Sequence, residues 1–149
     1  MTKLVRDDVL ERSAVVANCR MNRERNLTGS NGYSRELGFN PLDFLRDRIA
    51  IGTRCRWLDI CCGSGTALIE AAEAIRREGI AEKVEIVGID LVGMFSTFGS
   101  ELNCLRLITS SITVWQPIQS YDLITCVHGL HYIGDKLSVV AKAISWLTD

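Results

Sequence analysis

Short apolar runs alternate with stretches of helical spacing over most of the chain. Four of these runs are predicted as buried strands: Trp57–Ile60, Val84–Asp90, Leu105–Ile108 and Tyr121–Val127. After the first strand, apolar residues recur at the spacing of an amphipathic helix that ends near Gly79: Leu68, Ala71, Ala72 and Ile75. This alternation predicts an α/β fold with a mostly parallel open sheet and helices on both faces.

Further helices are predicted on either side of this region. One over about residues 8–21 follows from the spacing of Leu10, Ala14, Ala17 and Met21. The polar residues 22–40 are predicted to form a loop or short helices. A second helix is predicted to begin after them, because Asn40 can cap it and Pro41 suits its first position. The last helix carries an apolar stripe of Leu137, Val140, Ile144 and Leu147. We therefore expect a helical cap over residues 1–50 and the alternating domain over residues 51–149.

Composition and charge narrow the class of protein. The 149 residues are 47% hydrophobic and 23% charged, which is typical of one soluble globular domain. No run approaches the ~18 apolar residues of a membrane helix, and the first residues lack the apolar core of a signal peptide, so we predict a cytoplasmic protein without a membrane partner. The net charge of −1 gives no electrostatic support for a nucleic-acid partner.

The cysteines do not have the spacing of a metal site. Cys61 and Cys62 are adjacent, and no C-x2-C pair is present, so we predict no metal. Five cysteines lie in or beside the apolar runs and are expected as buried thiols: Cys55, Cys61, Cys62, Cys104 and Cys126.

Candidate chemistry is concentrated where the first two strands end. The segment Asp59–Gly65 joins a strand to a helix, and its small residues let a ligand approach the backbone and the N–H groups of that helix. Asp90 ends the second strand, where a carboxylate can accept hydrogen bonds from ribose hydroxyls. The two acids and the glycines together predict one ligand site. The alternative is that Asp59 caps a turn and Asp90 only ends a strand.

These residues carry a resemblance to a known family. Residues Trp57–Ala72 resemble the first motif of class I S-adenosylmethionine-dependent methyltransferases, an acid at a strand end followed by a glycine-rich G-x-G loop. Val84–Leu91 is similar to the second motif, and Tyr121–Tyr132 resembles the fourth strand with the loop beyond it. The resemblance covers roughly residues 40–149. It implies a Rossmann-like methyltransferase fold, S-adenosylmethionine as cofactor and methyl transfer to a small-molecule substrate.

The resemblance also implies roles for individual residues. In the family, the glycine loop contacts the methionine part of the cofactor, and the matching positions are Asp59, Cys61, Gly63 and Gly65. The acid of the second strand binds the ribose and the next residue packs on the adenine, which are Asp90 and Leu91 here. The loop after strand four lies near the sulfonium and methyl, at Val127 and His128. Where the family often has an Asp that bonds the adenine amino group, this chain has Ser110 and Ser111.

Three further residues are candidates with an alternative explanation. His128 is the candidate catalytic base, because it lies on the segment expected to face the methyl group; otherwise it is a packed, hydrogen-bonded histidine. Tyr33 and Arg35 are candidates for the cofactor's carboxylate, and the alternative is an ordinary solvated surface. A dinucleotide site fits less well, because Leu68 stands where that motif has a third small residue.

The family fold has seven strands, and about four are predicted here. The sequence therefore predicts a domain that is incomplete at its C-terminus, with an exposed sheet edge open to a second copy or another chain. Two hypotheses follow. One is an active methyltransferase of small molecules, and the other is a non-catalytic, cofactor-binding or partner-dependent remnant of such an enzyme.

Overall fold

The computed structural model describes Arg6, Val9 and residues 24–149. Apart from Val9, the helix predicted over residues 8–21 lies outside the described residues. In the polar stretch that follows, one short helix forms, as the sequence allows. The helices are α1 (Tyr33–Leu37), α2 (Pro41–Ala50), α3 (Thr66–Arg77) and α4 (Lys136–Ser145). The strands are β1 (Cys55–Ile60), β2 (Val84–Asp90), β3 (Leu105–Thr109) and β4 (Leu123–Thr125), and short 3-10 turns occur at Ala81–Lys83 and Leu130–Tyr132.

The four strands form one parallel sheet in the order β3-β2-β1-β4. The chain moves outward from β1 through β2 to β3 and then crosses back, so that β4 pairs with the other side of β1. This reversal of direction leaves a crevice at the carboxyl ends of β1 and β4, where open α/β sheets bind their ligands. The prediction of a parallel open sheet is confirmed.

Helices cover both faces of the sheet, as the strand pattern predicted. On one face Trp57 and Ile86 pack with α2 and α3, through residues such as Leu45 and Leu68. On the other face, the strand residues Leu58, Ile60, Val87 and Ile89 pack in one cluster with Val139 of α4 and with Trp146, which follows that helix. The alternation of side chains along each strand therefore divides the core into two layers.

The helix starts follow their local sequence. The side chain of Asn40 accepts a hydrogen bond from the Leu42 N–H at 3.0 Å, with Pro41 at the first helical position, so the predicted cap is confirmed. Asp135 caps α4 in the same way through the Ser138 N–H at 3.0 Å. Gly79 follows α3 with a φ of 72°, and its left-handed backbone ends the helix there.

The fourth strand is shorter than predicted. Regular pairing extends only from Leu123 to Thr125, and Tyr121 makes one isolated bridge to Leu147 instead. Within the described residues β4 has a strand neighbour on one side only, β1, so its ladder ends where β1 turns away.

The apolar stripe predicted on the last helix is exposed to solvent. Leu137 is 83% exposed and Ile144 is 64% exposed, whereas Val139, which is not in the stripe, is buried. The helix itself is confirmed. The periodicity correctly identified one apolar face, but the residues that contact the sheet lie on a different side of the helix.

Candidate functional site

A cleft opens at the carboxyl ends of the strands, as the strand order predicts. It encloses about 60 Å³, and the space around it that is open to solvent brings the total to about 620 Å³. Its walls come from the ends of all four strands and from the turn after β4. The lining residues are Cys61, Gly63, Ile89, Asp90, Leu91, Val92, Ser110, Ser111, Ile112, His128, Gly129, Tyr132 and Ile133.

The loop between β1 and α3 turns sharply at one edge of the cleft. Three of its residues, Cys61, Gly63 and Gly65, have left-handed backbones with φ of 63°, 62° and 78°. Glycine adopts this conformation without steric cost, whereas a cysteine there is strained by about 1–2 kcal/mol. The Cys62 N–H donates to the Ile89 carbonyl at 2.9 Å, which holds the loop against β2.

Asp90 connects this loop to the second strand. Its Oδ1 accepts a hydrogen bond from the Gly63 N–H and its Oδ2 accepts one from the Val92 N–H, both at 3.1 Å. The carboxylate is largely buried. Asp90 is therefore held in a fixed orientation at the floor of the cleft.

Asp59 lies in the buried layer beneath the loop. It is fully buried and accepts hydrogen bonds from the hydroxyls of Tyr33 and Thr125, each at 2.6 Å. The pKa of Asp59 is raised to about 7, and burial is the main cause. The hydrogen bonds from Thr125 and Tyr33 lower this pKa, and the nearby charge of Asp90 adds to the increase. The indole N–H of Trp57 donates to the Thr125 hydroxyl at 2.8 Å and completes a buried polar network.

The loop after β4 brings a histidine to the opposite wall. His128 has a φ of 55°, and its Nε2 lies 2.9 Å from Oε2 of Glu36 on α1. The hydrogen bond with His128 lowers the pKa of Glu36, and Glu36 also pairs with Arg25 at 3.3 Å. The N-terminal segment is thereby fixed to the rim of the cleft.

A model of the methyltransferase domain family matches residues 22–149, which include every residue of the cleft. The chain belongs to this family. No curated protein matches it significantly.

Two solved structures are similar to this methyltransferase domain. Coclaurine N-methyltransferase, bound to N-methylheliamine and SAH, has a TM-score of 0.50 at 17% identity over 72% of this chain and 32% of its own. CalS10 of Micromonospora echinaspora, an amino pentose methyltransferase bound to SAM, has a TM-score of 0.49 at 22% identity over 76% of this chain and 49% of its own. The first likeness supports the methyltransferase fold. The chain spans about a third to a half of the length of these proteins.

Most of the residues predicted from the sequence line the cleft of this methyltransferase domain. They are Cys61, Gly63, Asp90, Leu91, Ser110, Ser111 and His128. Asp59, Gly65 and Val127 are not among the lining residues: Asp59 and Val127 are buried, and Gly65 starts α3. Gly65 lies against Leu107, so that a Cβ would come within 2.7 Å of that side chain.

Some residues of the site were missed or differently assigned. Ile112, Tyr132 and Ile133 line the cleft, but loop residues without a motif carry no signal in one sequence. Tyr33 was a candidate for a cofactor carboxylate, yet its hydroxyl donates to Asp59. Arg35 donates to the Ser30 carbonyl at 3.3 Å.

The described residues contain neither a cluster of metal ligands nor a helix that could cross a membrane. No group of three or more His, Cys, Asp or Glu side chains in residues 24–149, Arg6 or Val9 could hold a metal ion. Over the same residues, no helix has the length and apolar character needed to cross a membrane. The five described cysteines are thiols, of which Cys61 and Cys126 are partly exposed rather than buried.

Proposed function

We propose that this chain binds S-adenosylmethionine in the cleft and transfers its methyl group to a small-molecule acceptor. The observation that carries the proposal is the meeting of Gly63 and Asp90 at the ends of the first two strands, in a chain that belongs to the methyltransferase domain family. The mainly apolar walls of the cleft suit a nucleoside base. A cytoplasmic location and the division at residue 50 remain predictions.

Asp90 is the proposed ribose-binding residue. A diol donates two hydrogen bonds, and a carboxylate that is already oriented by two backbone N–H groups can accept both without rearranging. Leu91, Ile112 and Ile133 are apolar residues that line the cleft, and they would pack on the adenine faces. Ser110 and Ser111 would hydrogen-bond its polar edge.

The loop of β1 and the loop after β4 are proposed to hold the reacting end. When bound, S-adenosylmethionine supplies a methyl group activated by its sulfonium. Cys61 and Gly63 would contact the methionine part, with Gly65, Val127 and Asp59 supporting the loops from beneath. The protein's contribution is alignment of the acceptor and exclusion of water, which direct displacement at a methyl carbon requires.

His128 is the proposed base for an acceptor that must lose a proton. Its ring lies at the wall of the cleft, and the contact between Nε2 and Glu36 fixes its orientation.

A second candidate function is favoured by the exposed side of α4. Leu137, Val140 and Ile144 are exposed apolar side chains on α4, and among the described residues β4 has a strand neighbour on one side only. A chain with such a surface could bind the cofactor and depend on a partner, or on a second copy, for catalysis. Binding without methyl transfer by the purified chain would favour this candidate.

The first test is calorimetric titration of the folded protein with S-adenosylhomocysteine. Asp90→Asn keeps the size of the side chain but removes its charge and one acceptor oxygen, and we expect roughly a tenfold to hundredfold loss of affinity. Asp43→Asn, on the exposed surface of α2, is the matched control and should bind normally. Equal affinity of both variants, with circular dichroism unchanged, would remove Asp90 from the site.

Transfer itself is tested separately. Incubation with methyl-labelled S-adenosylmethionine and a set of small amines, alcohols and thiols should give labelled product with at least one acceptor class. His128→Gln should lower the turnover of acceptors that lose a proton more than it lowers cofactor affinity. No product with any acceptor, despite saturable cofactor binding, would favour the partner-dependent candidate.

A further inference from the structure

Two cysteines meet where the loops after β1 and β4 come together. A Cβ placed on Gly129 would overlap the Cβ of Cys61 and would lie 3.0 Å from Sγ of Cys61 and 3.3 Å from Sγ of Cys126. Both sulfurs therefore border the same small space, which glycine leaves open. Cys61 also lines the cleft, so solvent and small solutes reach this space from the cleft.

The strand register explains why these residues can be joined. Asp59 pairs with Thr125 in the last pair of the β1–β4 ladder, and Cys61 and Cys126 follow within two residues of that pair. Their side chains hydrogen-bond to each other. A disulfide between them requires Cα atoms about 4.4–6.8 Å apart.

The backbone of Cys61 allows its side chain to lie on the same face of the sheet as that of Cys126. Residues offset by one position normally point to opposite faces of a sheet. The left-handed φ of 63° turns the chain at Cys61, and both Cys61 and Cys126 pack against the layer that contains Ile60 and Val139. Cys62 packs in the other layer, near Gly88, and is directed away from this pair.

We propose that Cys61 and Cys126 are a thiol–disulfide redox pair in the wall of the cleft, oxidised by a peroxide and restored by a dithiol. The inference does not depend on the proposed function, because a disulfide is detected without any cofactor. Nothing in the methyl transfer derived above uses either sulfur.

The chemistry balances with hydrogen peroxide as the oxidant. The Cys126 sulfur attacks one peroxide oxygen, the O–O bond breaks, and a sulfenic acid forms on Cys126 as water leaves. The Cys61 sulfur then attacks the sulfenic sulfur, so that the S–S bond forms, the S–O bond breaks, and the Cys61 proton leaves in a second water. Two thiols lose two electrons, and the peroxide is reduced to two waters.

The order of the steps follows from the environment of Cys61. The hydrogen bond with Cys126 and burial raise the pKa of the Cys61 thiol, so Cys61 keeps its proton. A thiol that keeps its proton is a poor nucleophile toward peroxide, so Cys61 is assigned to the second step, in which it attacks the sulfenic sulfur.

Peptide mapping of the oxidised full chain tests the proposal. Trypsin places Cys61 in residues 57–76 and Cys126 in residues 107–136. After dilute hydrogen peroxide and alkylation under non-reducing conditions, we expect these two peptides joined, with two hydrogen atoms lost, and separated again by dithiothreitol. Fragmentation of the joined peptide distinguishes Cys61 from Cys62.

Variants sharpen the result. Cys126→Ser and Cys61→Ser should abolish the joined peptide, whereas Cys62→Ser and Cys104→Ser should retain it. Oxidation of the unmodified chain to sulfinic acid without a joined peptide would overturn the proposal, as would a Cys61–Cys62 link or a link between two chains. Because the unmodified protein gives the primary result, a variant that fails to fold does not affect the conclusion.

Discussion

The hydroxyl of Tyr33 donates to Oδ2 of Asp59 at 2.6 Å, and both side chains are buried. This hydrogen bond joins α1 to the first strand of the sheet. The Tyr33 ring also packs edge-on against Trp57, with ring centroids 6.4 Å apart. The segment before the sheet is therefore fixed by a polar contact in the same buried network that ends at Thr125.

Removing this hydroxyl tests how much the contact stabilises the fold. Tyr33→Phe keeps the packing on Trp57 but removes a donor to a buried carboxyl group. We expect the free energy of unfolding to fall by roughly 1.5–3 kcal/mol, the value of a hydrogen bond to a charged group. Urea unfolding at pH 8, where Asp59 is ionised, measures this loss; a change below about 0.5 kcal/mol would contradict it.

Asp59 should make the protein less stable as the pH rises. The pKa of Asp59 is about 7 in the folded protein, against an ordinary value of 3.8. Between these values the folded state holds a proton that the unfolded state has lost, so the free energy of unfolding decreases from about pH 4 to about pH 7.

The variant Asp59→Asn isolates this effect. Asparagine stays neutral at every pH, so its stability relative to the unmodified protein should increase over the same window, by as much as roughly 4 kcal/mol. All other carboxylates contribute equally to both proteins and cancel in the difference. A difference that is constant from pH 4 to pH 8 would mean that Asp59 is already ionised in acid.

Gly129 should be intolerant of any side chain. In Gly129→Ala the new methyl group would overlap Cys61, and separating the two loops should cost about 1–3 kcal/mol and weaken S-adenosylhomocysteine binding. Gly38→Ala is the control, because its Cβ meets nothing within 4 Å and only its φ of 76° is unfavourable. If Gly129→Ala binds the ligand as Gly38→Ala does, the close approach of the loops does not shape the cleft.

The two sides of α4 should respond differently to truncation. Val139→Ala removes buried methyl groups and should lower the free energy of unfolding by about 2 kcal/mol. Leu137→Ala, two residues earlier on the same helix, removes a side chain that is 83% exposed and should change stability by less than about 0.5 kcal/mol. A large loss for Leu137→Ala in dilute, monomeric protein would show that this surface is covered in solution.

The sequence predicted the sheet well where its signals are local. The bounds of β2 agree at both ends, and the Asn40 cap and the glycine loop are as expected. Hydrophobic periodicity and turn chemistry depend on neighbouring residues, so one sequence is enough to identify them.

Features that depend on distant residues were not predictable in this way. The carboxyl group of Asp59 is satisfied by Tyr33 and Thr125, which lie on other elements, and nothing in its own motif identifies them. Likewise, the spacing of Leu137 and Ile144 reports that one side of α4 is apolar but not what covers it. Both outcomes are decided by tertiary contacts rather than by local pattern.

Because the fourth strand is short, the walls of the cleft differ in their resistance to local unfolding. β4 is three residues long and, among the described residues, has a strand neighbour only in β1, whereas β2 is paired on both sides. Local opening should therefore release the amides of residues 123–129 to hydrogen exchange well before those of residues 84–90. The wall that carries His128 should open locally while the floor that carries Asp90 remains folded. The lifetime of the intact site is then set by the opening of a short edge strand, not by the global stability of the fold.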